Sequence, residues 1–207
     1  MRGIKVTRLM AVTWATRNGF QGPVRHWVGA TGSLSARLAG AGELYRVQVL
    51  KQGRQRLRWD EARALGLARP QAGYVREVLL RVDGAAVVFA RSVTPYGASL
   101  GAWRSVRGLG SRPLADVLFK RLGIARTPLE FARLQPASPL RRHVAQAWQQ
   151  ATGAALAARA LPTRRSVFVR RGAPLLVMEV FADVQAPWGW PTRRTSTTGN
   201  FFTRKTA

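Results

Sequence analysis

The sequence predicts an α+β domain with a single antiparallel β-sheet and helices packed on one face. Two hairpins carry this prediction, at residues 74–95 and 165–181, and each joins two apolar or alternating strands through a turn that contains glycine. Segments with helical spacing lie before and between the hairpins. Because hairpin strands pair antiparallel, strands of this kind beside amphipathic helices favour one sheet with helices against it.

Length and composition fit one globular domain. The chain has 207 residues, of which 46% are hydrophobic and 21% are charged, and apolar runs recur along most of its length. We predict a leader over residues 1–25 that is loosely attached, and a folded domain over residues 26–184. Residues 185–207 lack periodicity and are predicted to form a basic, disordered tail.

The residue types that the chain lacks exclude several kinds of site. There is no cysteine, which removes disulfides, thiolate nucleophiles and cysteine-based metal centres. His26 and His143 are too few and too far apart in sequence for a histidine-built metal centre. No stretch approaches the roughly 20 apolar residues of a membrane span. The sequence therefore predicts a soluble cytoplasmic protein without a metal.

The first predicted elements are two short helices with a strand between them. Ser33 is a good N-cap for a helix at residues 34–38, which Gly40 and Gly42 end. Residues 44–50 alternate as a strand, and residues 51–53 are predicted to turn it. The second short helix is predicted over residues 60–67.

The later elements are the two hairpins and the segments that join them. The first hairpin turns at Asp83-Gly84, a dipeptide typical of tight hairpin turns. After a glycine-rich connection, Pro113 marks the start of a helix that runs to residue 122. Residues 138–159 are alanine-rich and are predicted to be helical or irregular, and the second hairpin turns at residues 171–174.

Two charged residues are predicted to lie on apolar faces. Alternation in residues 74–82 places Arg76 on the apolar face of its strand, and Glu179 stands inside an apolar run. A charge on a core face is costly unless it is paired or meets a ligand. The two residues therefore indicate either a buried polar pocket or a structural Arg76–Glu179 ion pair in the core. Arg91 is either a supporting residue of the pocket or a packed, salt-bridged arginine.

Two helix starts could add anion-binding groups to such a pocket. Leu34 and Leu114 stand where helices begin, and the first turn of a helix presents free backbone N–H groups and the positive end of its dipole. Together with Arg76 and Glu179 they suit a small organic acid that bears a hydroxyl or an ether. Taken singly, each leucine is more typical of a plain core position. Phosphate-loop, nucleophile-elbow and dinucleotide motifs are absent.

The net charge of +25 raises the possibility of nucleic-acid binding. Four of the 34 basic residues are lysines, so 30 are arginines, and they are scattered along the chain. An arginine bias of this kind, with abundant alanine and glycine, is typical of a genome-wide composition. The charge therefore predicts no specific nucleic-acid partner.

The chain resembles the bacterial chorismate pyruvate-lyases over residues 27–183. The resemblance is carried by an ordered set of segments: Thr31-Gly-Ser-Leu-Ser-Ala-Arg-Leu38, Tyr74-Val-Arg-Glu-Val-Leu-Leu80, Ala90-Arg-Ser-Val-Thr-Pro95, Leu109-Gly-Ser-Arg-Pro-Leu114 with Leu118-Phe119, and Gly172-Ala-Pro-Leu-Leu-Val-Met-Glu-Val-Phe181. It implies an antiparallel sheet with helices on one side and a ligand buried under flaps. It also implies an enzyme that converts chorismate to 4-hydroxybenzoate and pyruvate at the entry to ubiquinone biosynthesis, without metal or cofactor. We expect the protein to be a monomer.

The resemblance also implies roles for four residues. Arg76 would bind the ring carboxylate, the backbone amides of Leu34 and Leu114 would hold carboxylate oxygens, and Glu179 would face the ring hydroxyl or ether oxygen. Residues 151–162 are predicted to be an insertion. The alternative is a non-catalytic sensor of small aromatic acids, because effector domains of some bacterial winged-helix regulators are similar in fold. Such regulators need an attached DNA-binding domain, which the residues before Trp27 are too few to supply.

Overall fold

One antiparallel sheet forms the centre of the protein. The computed structural model describes residues 12–119 and 122–182. Within them the strands run in the order β1-β2-β3-β7-β6-β4, with β5 also paired to β6, and every pairing is antiparallel. The strands are β1 (Tyr45–Arg56), β2 (Ala72–Val82), β3 (Ala85–Pro95), β4 (Ile124–Arg126), β5 (Glu130–Leu134), β6 (Leu161–Arg170) and β7 (Ala173–Phe181). The predicted α+β class with a single antiparallel sheet is confirmed.

Seven helices lie against this sheet in the described part of the chain. They are α1 (Pro23–Val28), α2 (Leu34–Ala39), α3 (Trp59–Ala64), α4 (Tyr96–Leu100), α5 (Arg104–Arg107), α6 (Ala115–Leu118) and α7 (Pro139–Thr152). No helix among the described residues is long and apolar enough to cross a membrane.

Helices cover both faces of the sheet, whereas the sequence predicts one covered face. Residues of α1, α2 and the segment from α4 to α6 pack on the face of Val78 and Leu175. Residues of α7 and the end of α3 pack on the opposite face, against Leu79 and Val75. The physical reason is that the central strands carry buried apolar side chains on both sides, so both sides need a cover.

Both predicted hairpins are confirmed. Asp83 and Gly84 connect β2 to β3 with φ of 48° and 82°, and Arg171 and Gly172 connect β6 to β7 with φ of 50° and 72°. Positive φ at both central residues gives a turn whose twist matches the twist of the strands. The second turn is thus shorter than the predicted one at residues 171–174.

The strand β1 is longer than predicted. The predicted turn at residues 51–53 is wrong, because β1 continues to Arg56 and pairs with β2 along its whole length. The strand is irregular at two places, a register shift between Val49 and Lys51 and a positive φ of 137° at Gly53, but neither of them ends it.

Three other segments differ from the prediction. The helix predicted from Pro113 to residue 122 is shorter in the structure. It is α6, which covers Ala115–Leu118, and the strand β4 already begins at Ile124. The edge strands β4 and β5 are not predicted by the sequence pattern at all. The predicted insertion at residues 151–162 is a loop only over residues 153–160, since α7 ends at Thr152 and β6 begins at Leu161.

The described part of the predicted leader packs against the domain. Ala15 forms a β-bridge with Phe131, and Phe20 is 4% exposed. A loose attachment is therefore wrong for these residues, because Phe20 belongs to the apolar cluster beneath α1 and α2. Residues 1–11 and the predicted tail lie outside the described residues.

The face of the sheet that carries α7 holds a buried charge network. Arg91 Nε lies 2.5 Å from Glu61 Oε1, and Arg91 Nη1 lies 2.5 Å from Glu77 Oε1, which is also 2.7 Å from His143 Nε2. Of the two alternatives for Arg91, a supporting residue of the pocket or a packed, salt-bridged arginine, the structure shows the second. Burial alone would raise the pKa of Glu77, but the hydrogen bond from His143 and the charge of Arg91 outweigh burial and lower the pKa to about 2.

We expect Glu77→Gln to lower the free energy of unfolding by about 3–5 kcal/mol at neutral pH, because it removes one partner of a buried ion pair. The pKa of Glu77 is lowered in the folded state, so its contribution is present above about pH 4.5 and is lost as the pH falls toward about 2. Urea unfolding at about pH 7 and pH 3.5 should therefore show a smaller difference between the two proteins at the lower pH.

The matched control is Glu43→Gln at an exposed position. It should change the free energy of unfolding by less than about 0.5 kcal/mol at either pH. A difference between wild type and Glu77→Gln that does not depend on pH would contradict the ionised Glu77 of the network.

Candidate active site

A cavity lies between the sheet and the short helices on the face of α2 and α6. It encloses about 610 Å³ of space between protein atoms, a figure that includes its opening to solvent. Side chains of β1, β2, β3, β7, β6 and β4 line it from one side, and Gly32, residues 34–35 and residues 113–119 line it from the other. All four predicted site residues, Leu34, Arg76, Leu114 and Glu179, line this one cavity.

Strand register explains how distant residues meet on the cavity floor. Side chains on one face of a sheet repeat every second residue, and paired residues stand side by side across strands. One row across the sheet contains Arg76, Ser92, Val177 and Ser166, and the next contains Val78, Ala90, Glu179 and Arg164. Arg76 and Glu179 thus occupy neighbouring rows two strands apart.

Arg76 is a buried cation without a carboxylate partner in the described part of the chain. Its residue is 2% exposed, and Nη2 donates to the carbonyl oxygens of Gly110 at 2.8 Å and Arg112 at 3.1 Å. Nε is buried and has no hydrogen-bond acceptor among the described residues. Burial lowers the pKa of Arg76, but a guanidinium remains protonated in proteins. The site therefore contains a positive charge that a ligand anion could neutralise.

Glu179 forms its ion pair with Arg164 and not with Arg76. Arg164 Nε donates to Glu179 Oε2 at 2.5 Å, and the side chains are 1% and 15% exposed. The structural Arg76–Glu179 pair that the sequence leaves open is therefore wrong. A buried ion pair does exist, but its cation comes from the adjacent strand β6, directly opposite Glu179 in the register.

Arg164 also holds the chain that leads into α2. Its Nη1 donates to the carbonyl oxygens of Trp27, Val28 and Ala30 at 3.3, 3.1 and 2.6 Å. These carbonyls belong to the end of α1 and the loop before α2. One guanidinium thus fixes both the carboxylate of Glu179 and the approach to Leu34.

Arg126 is the third cation of the cavity. Its Nε donates to Ser166 Oγ at 2.9 Å, and its Nη1 donates to the carbonyl oxygen of Thr31. The guanidinium lies over the rings of Phe168 and Phe119, 5.0 and 6.0 Å from their centroids. Burial lowers the pKa of Arg126, and the charge of Arg164 lowers it further.

The two helix starts bring backbone donors to the same cavity. Ser33 caps α2 as predicted, with its Oγ accepting from the N–H of Ala36 at 3.1 Å. Leu34 is the first residue of α2, and Leu114 directly precedes α6. Within the described residues, the backbone N–H groups of Leu34 and Leu114 have no acceptor. Both therefore remain able to donate to a ligand.

The cavity carries a surplus of positive charge. Its charged lining residues are three arginines and Glu179, which leaves a net charge of +2. In a partly enclosed site, charges act more strongly than they do in water. The arrangement therefore fits a ligand with two negative charges better than a ligand with one. No group of three or more His, Asp or Glu side chains in the described ranges could hold a metal ion.

Sequence patterns do not reveal Arg126 and Arg164. Arg164 adjoins Arg165, and the pair presents one arginine to each face of β6, so only the position of the strand could tell which one enters the cavity. Arg126 stands in a strand of three residues, which is too short to show alternation. A signal for Arg164 is its spacing of two residues from Ser166 and of four from Phe168, which places all three side chains on the same face of β6.

Comparisons with known proteins agree with this geometry. A family model described as "Chorismate lyase" matches residues 8–188. A protein of Albidiferax ferrireducens named "Probable chorismate pyruvate-lyase" is 69% identical over 182 residues, covering 88% of this chain and 92% of that protein. A protein of the same name from Cupriavidus metallidurans is 45% identical over 157 residues, covering 76% of this chain and 72% of that protein.

Solved structures match the chain at low sequence identity. The crystal structure of the PhnF C-terminal domain matches with a TM-score of 0.50 and 19% identity, covering 73% of this chain and 91% of that one. The ligand-binding domain of a putative GntR-family transcriptional regulator from Bordetella bronchiseptica matches with a TM-score of 0.47 and 15% identity, covering 68% of this chain and 86% of that one.

We expect Arg164→Gln to lower the free energy of unfolding by about 3 kcal/mol, because it leaves Glu179 as an unpaired carboxylate in a mostly buried position. Urea unfolding at neutral pH measures the loss. The matched control is Arg165→Gln, the next residue along β6, which pairs with the partly exposed Glu130 and should cost at most about 1 kcal/mol. Equal losses in the two variants would show that the buried pair does not contribute more than the exposed one.

Proposed function

The chain belongs to the chorismate lyase family, and from that premise we propose that this lyase converts chorismate to 4-hydroxybenzoate and pyruvate in the first step of ubiquinone biosynthesis. The observation that carries the proposal is the cavity with a net charge of +2, in which Glu179 is the one carboxylate among the lining residues. The proposal includes a cytoplasmic location and a monomeric state, both of which stay predictions from the sequence.

The charges of the substrate match those of the cavity. Chorismate carries one carboxylate on its ring and a second on the enolpyruvyl group, which is joined to the ring through an ether oxygen. A hydroxyl group stands on the adjacent ring carbon. Two anionic ends with an ether and a hydroxyl between them correspond to a site with cations toward both ends and a carboxylate between.

The reaction is an elimination that needs little from the protein. The carbon that bears the hydroxyl loses its hydrogen as a proton, and the bond between the ring and the ether oxygen breaks. The ring becomes aromatic, and the enolpyruvate released takes up a proton to give pyruvate. Much of the driving force resides in the substrate, so the protein has to orient it and handle one proton. The proposal requires no metal or cofactor.

Arg76 is proposed to bind the ring carboxylate. Nη2 is held by the carbonyls of Gly110 and Arg112, which fixes the guanidinium and leaves its other N–H groups for the ligand. The buried Nε without an acceptor supports this assignment, because an unmet buried donor costs about 1–3 kcal/mol unless a ligand satisfies it.

The backbone amides of Leu34 and Leu114 are proposed to hold carboxylate oxygens. Both residues line the cavity, and both amides lack an acceptor among the described residues. Backbone donors at helix starts bind anions without any further charged side chain. They would add directional hydrogen bonds to the charge that the arginines provide.

Glu179 is proposed to face the hydroxyl and ether oxygens and to accept or return the proton. Arg164 holds Oε2, so the carboxylate is fixed in orientation while Oε1 has no partner in the described part of the chain. Its place on β7 lies between Arg76 on β2 and Arg126 on β4 in the order of strands. A carboxylate at that position can reach the middle of a ligand whose two ends are held by cations.

We expect the purified protein to form 4-hydroxybenzoate and pyruvate in equal amounts from chorismate, with no added metal or nucleotide. Arg76→Ala and Glu179→Gln should each lower kcat/KM by at least about 100-fold, because each removes a charged group from a buried site. Chromatography against a no-enzyme control measures both products.

The matched control is Arg81→Ala, on the same strand as Arg76 but outside the cavity, where it bonds Gln48 and Gly84. Its kcat/KM should stay within about threefold of wild type. Unchanged turnover in both site variants would refute the assigned site. A wild-type protein that forms no product but binds 4-hydroxybenzoate saturably in calorimetry would indicate a sensor instead.

A further inference from the structure

A second carboxylate on the ligand would need a second cation in the cavity, and the proposed roles of Arg76, Leu34, Leu114 and Glu179 leave that group unassigned. Resting on the function proposed above, we infer that Arg126 binds the carboxylate of the enolpyruvyl group and thereby selects the dianionic substrate over the monoanionic product. The candidates for this role are the two other arginines of the cavity, Arg126 and Arg164.

Arg164 is already committed to other partners. Its Nε is paired with Glu179, and its Nη1 donates to the carbonyls that precede α2. The pair cancels its charge within the cavity. Arg126 has no carboxylate partner in the described part of the chain, so the uncompensated charge at this side of the cavity belongs to Arg126.

Arg126 stands at the opposite side of the cavity from Arg76. Arg76 is on β2 and Arg126 is on β4, and β3, β7 and β6 lie between them. Four strand spacings of about 4.8 Å place the two backbones roughly 19 Å apart. Both side chains reach into one cavity, so their guanidinium groups approach it from opposite ends. Glu179 lies between them, as the ether of the substrate lies between its carboxylates.

The guanidinium of Arg126 is preorganised for an anion. Ser166 Oγ and the carbonyl of Thr31 accept from Nε and Nη1, while Nη2 has no acceptor among the described residues. The rings of Phe168 and Phe119 lie beside the guanidinium, and these cation–π contacts help to hold it in place. A fixed guanidinium with a free N–H edge loses little side-chain entropy when it binds a carboxylate.

Recognition at this end would distinguish substrate from product. The product 4-hydroxybenzoate carries only the ring carboxylate, and after cleavage nothing joins it to the group held by Arg126. Removal of Arg126 should therefore weaken ligands with the second carboxylate and leave 4-hydroxybenzoate unaffected. A role limited to holding the loop at Thr31 would instead weaken both kinds of ligand together.

The test compares two stable ligands by calorimetry. One is 4-hydroxybenzoate, and the other is 3-(carboxymethoxy)-4-hydroxybenzoate, which adds a second carboxylate through an ether and cannot undergo the elimination. We expect Arg126→Gln to weaken the dianion by about 10- to 100-fold, the usual range for a lost hydrogen bond to a charged group, and to change 4-hydroxybenzoate by less than about twofold. Arg126→Lys, which keeps the charge without the fork, should give an intermediate loss.

The matched control is Arg133→Gln on the neighbouring edge strand β5, where the side chain stacks on Phe20 away from the cavity. It should leave both affinities unchanged. Equal weakening of both ligands in Arg126→Gln, or no weakening of either, would overturn the inference. Because these ligands need no turnover, an inactive wild-type protein would refute the proposed reaction, while the binding comparison would still decide the role of Arg126.

Discussion

The buried pair between Arg164 and Glu179 is the interaction on which the geometry of the cavity depends. It joins the adjacent strands β6 and β7, and the same guanidinium bonds to the chain that leads into α2. Removing a partner from such a pair leaves an uncompensated charge in a region of low dielectric. One side chain therefore contacts the sheet, the loop and the proposed reactive carboxylate and helps to position all three.

Alternation along the strands separates the charged side chains of the sheet into two groups, one on each face. Arg76 and Glu77 are neighbours in sequence but point to opposite faces of the sheet. On the face of α7, Arg91 pairs with Glu61 and Glu77, and Glu77 also contacts His143, so each of these charged side chains has a partner. On the cavity face, cations outnumber carboxylates by three to one. A compensated network suits a structural role, and a surplus of one sign suits the binding of a ligand.

The sequence predicts those parts of the fold and site that local patterns determine. Hairpin turns, the cap at Ser33 and the burial of Arg76 and Glu179 follow from turn chemistry and alternation. The partner of Glu179 does not, because a pairing across strands depends on register, and register is set by the whole sheet. The position of Arg126 in the cavity is not predicted for a related reason. Its strand β4 is recognised by its pairing with β6 and not by its own sequence pattern.

Arg76 donates to the carbonyls of Gly110 and Arg112, which belong to the segment that leads into the cavity wall at residues 113–119. In its proposed role Arg76 binds the ligand and also secures this segment, so ligand binding and the ordering of the segment would be thermodynamically linked. We therefore expect the residence time of a bound acid to depend on the hydrogen bonds between Arg76 and this segment. A substitution that loosens the segment should speed the departure of the acid even when every contact to the ligand is kept.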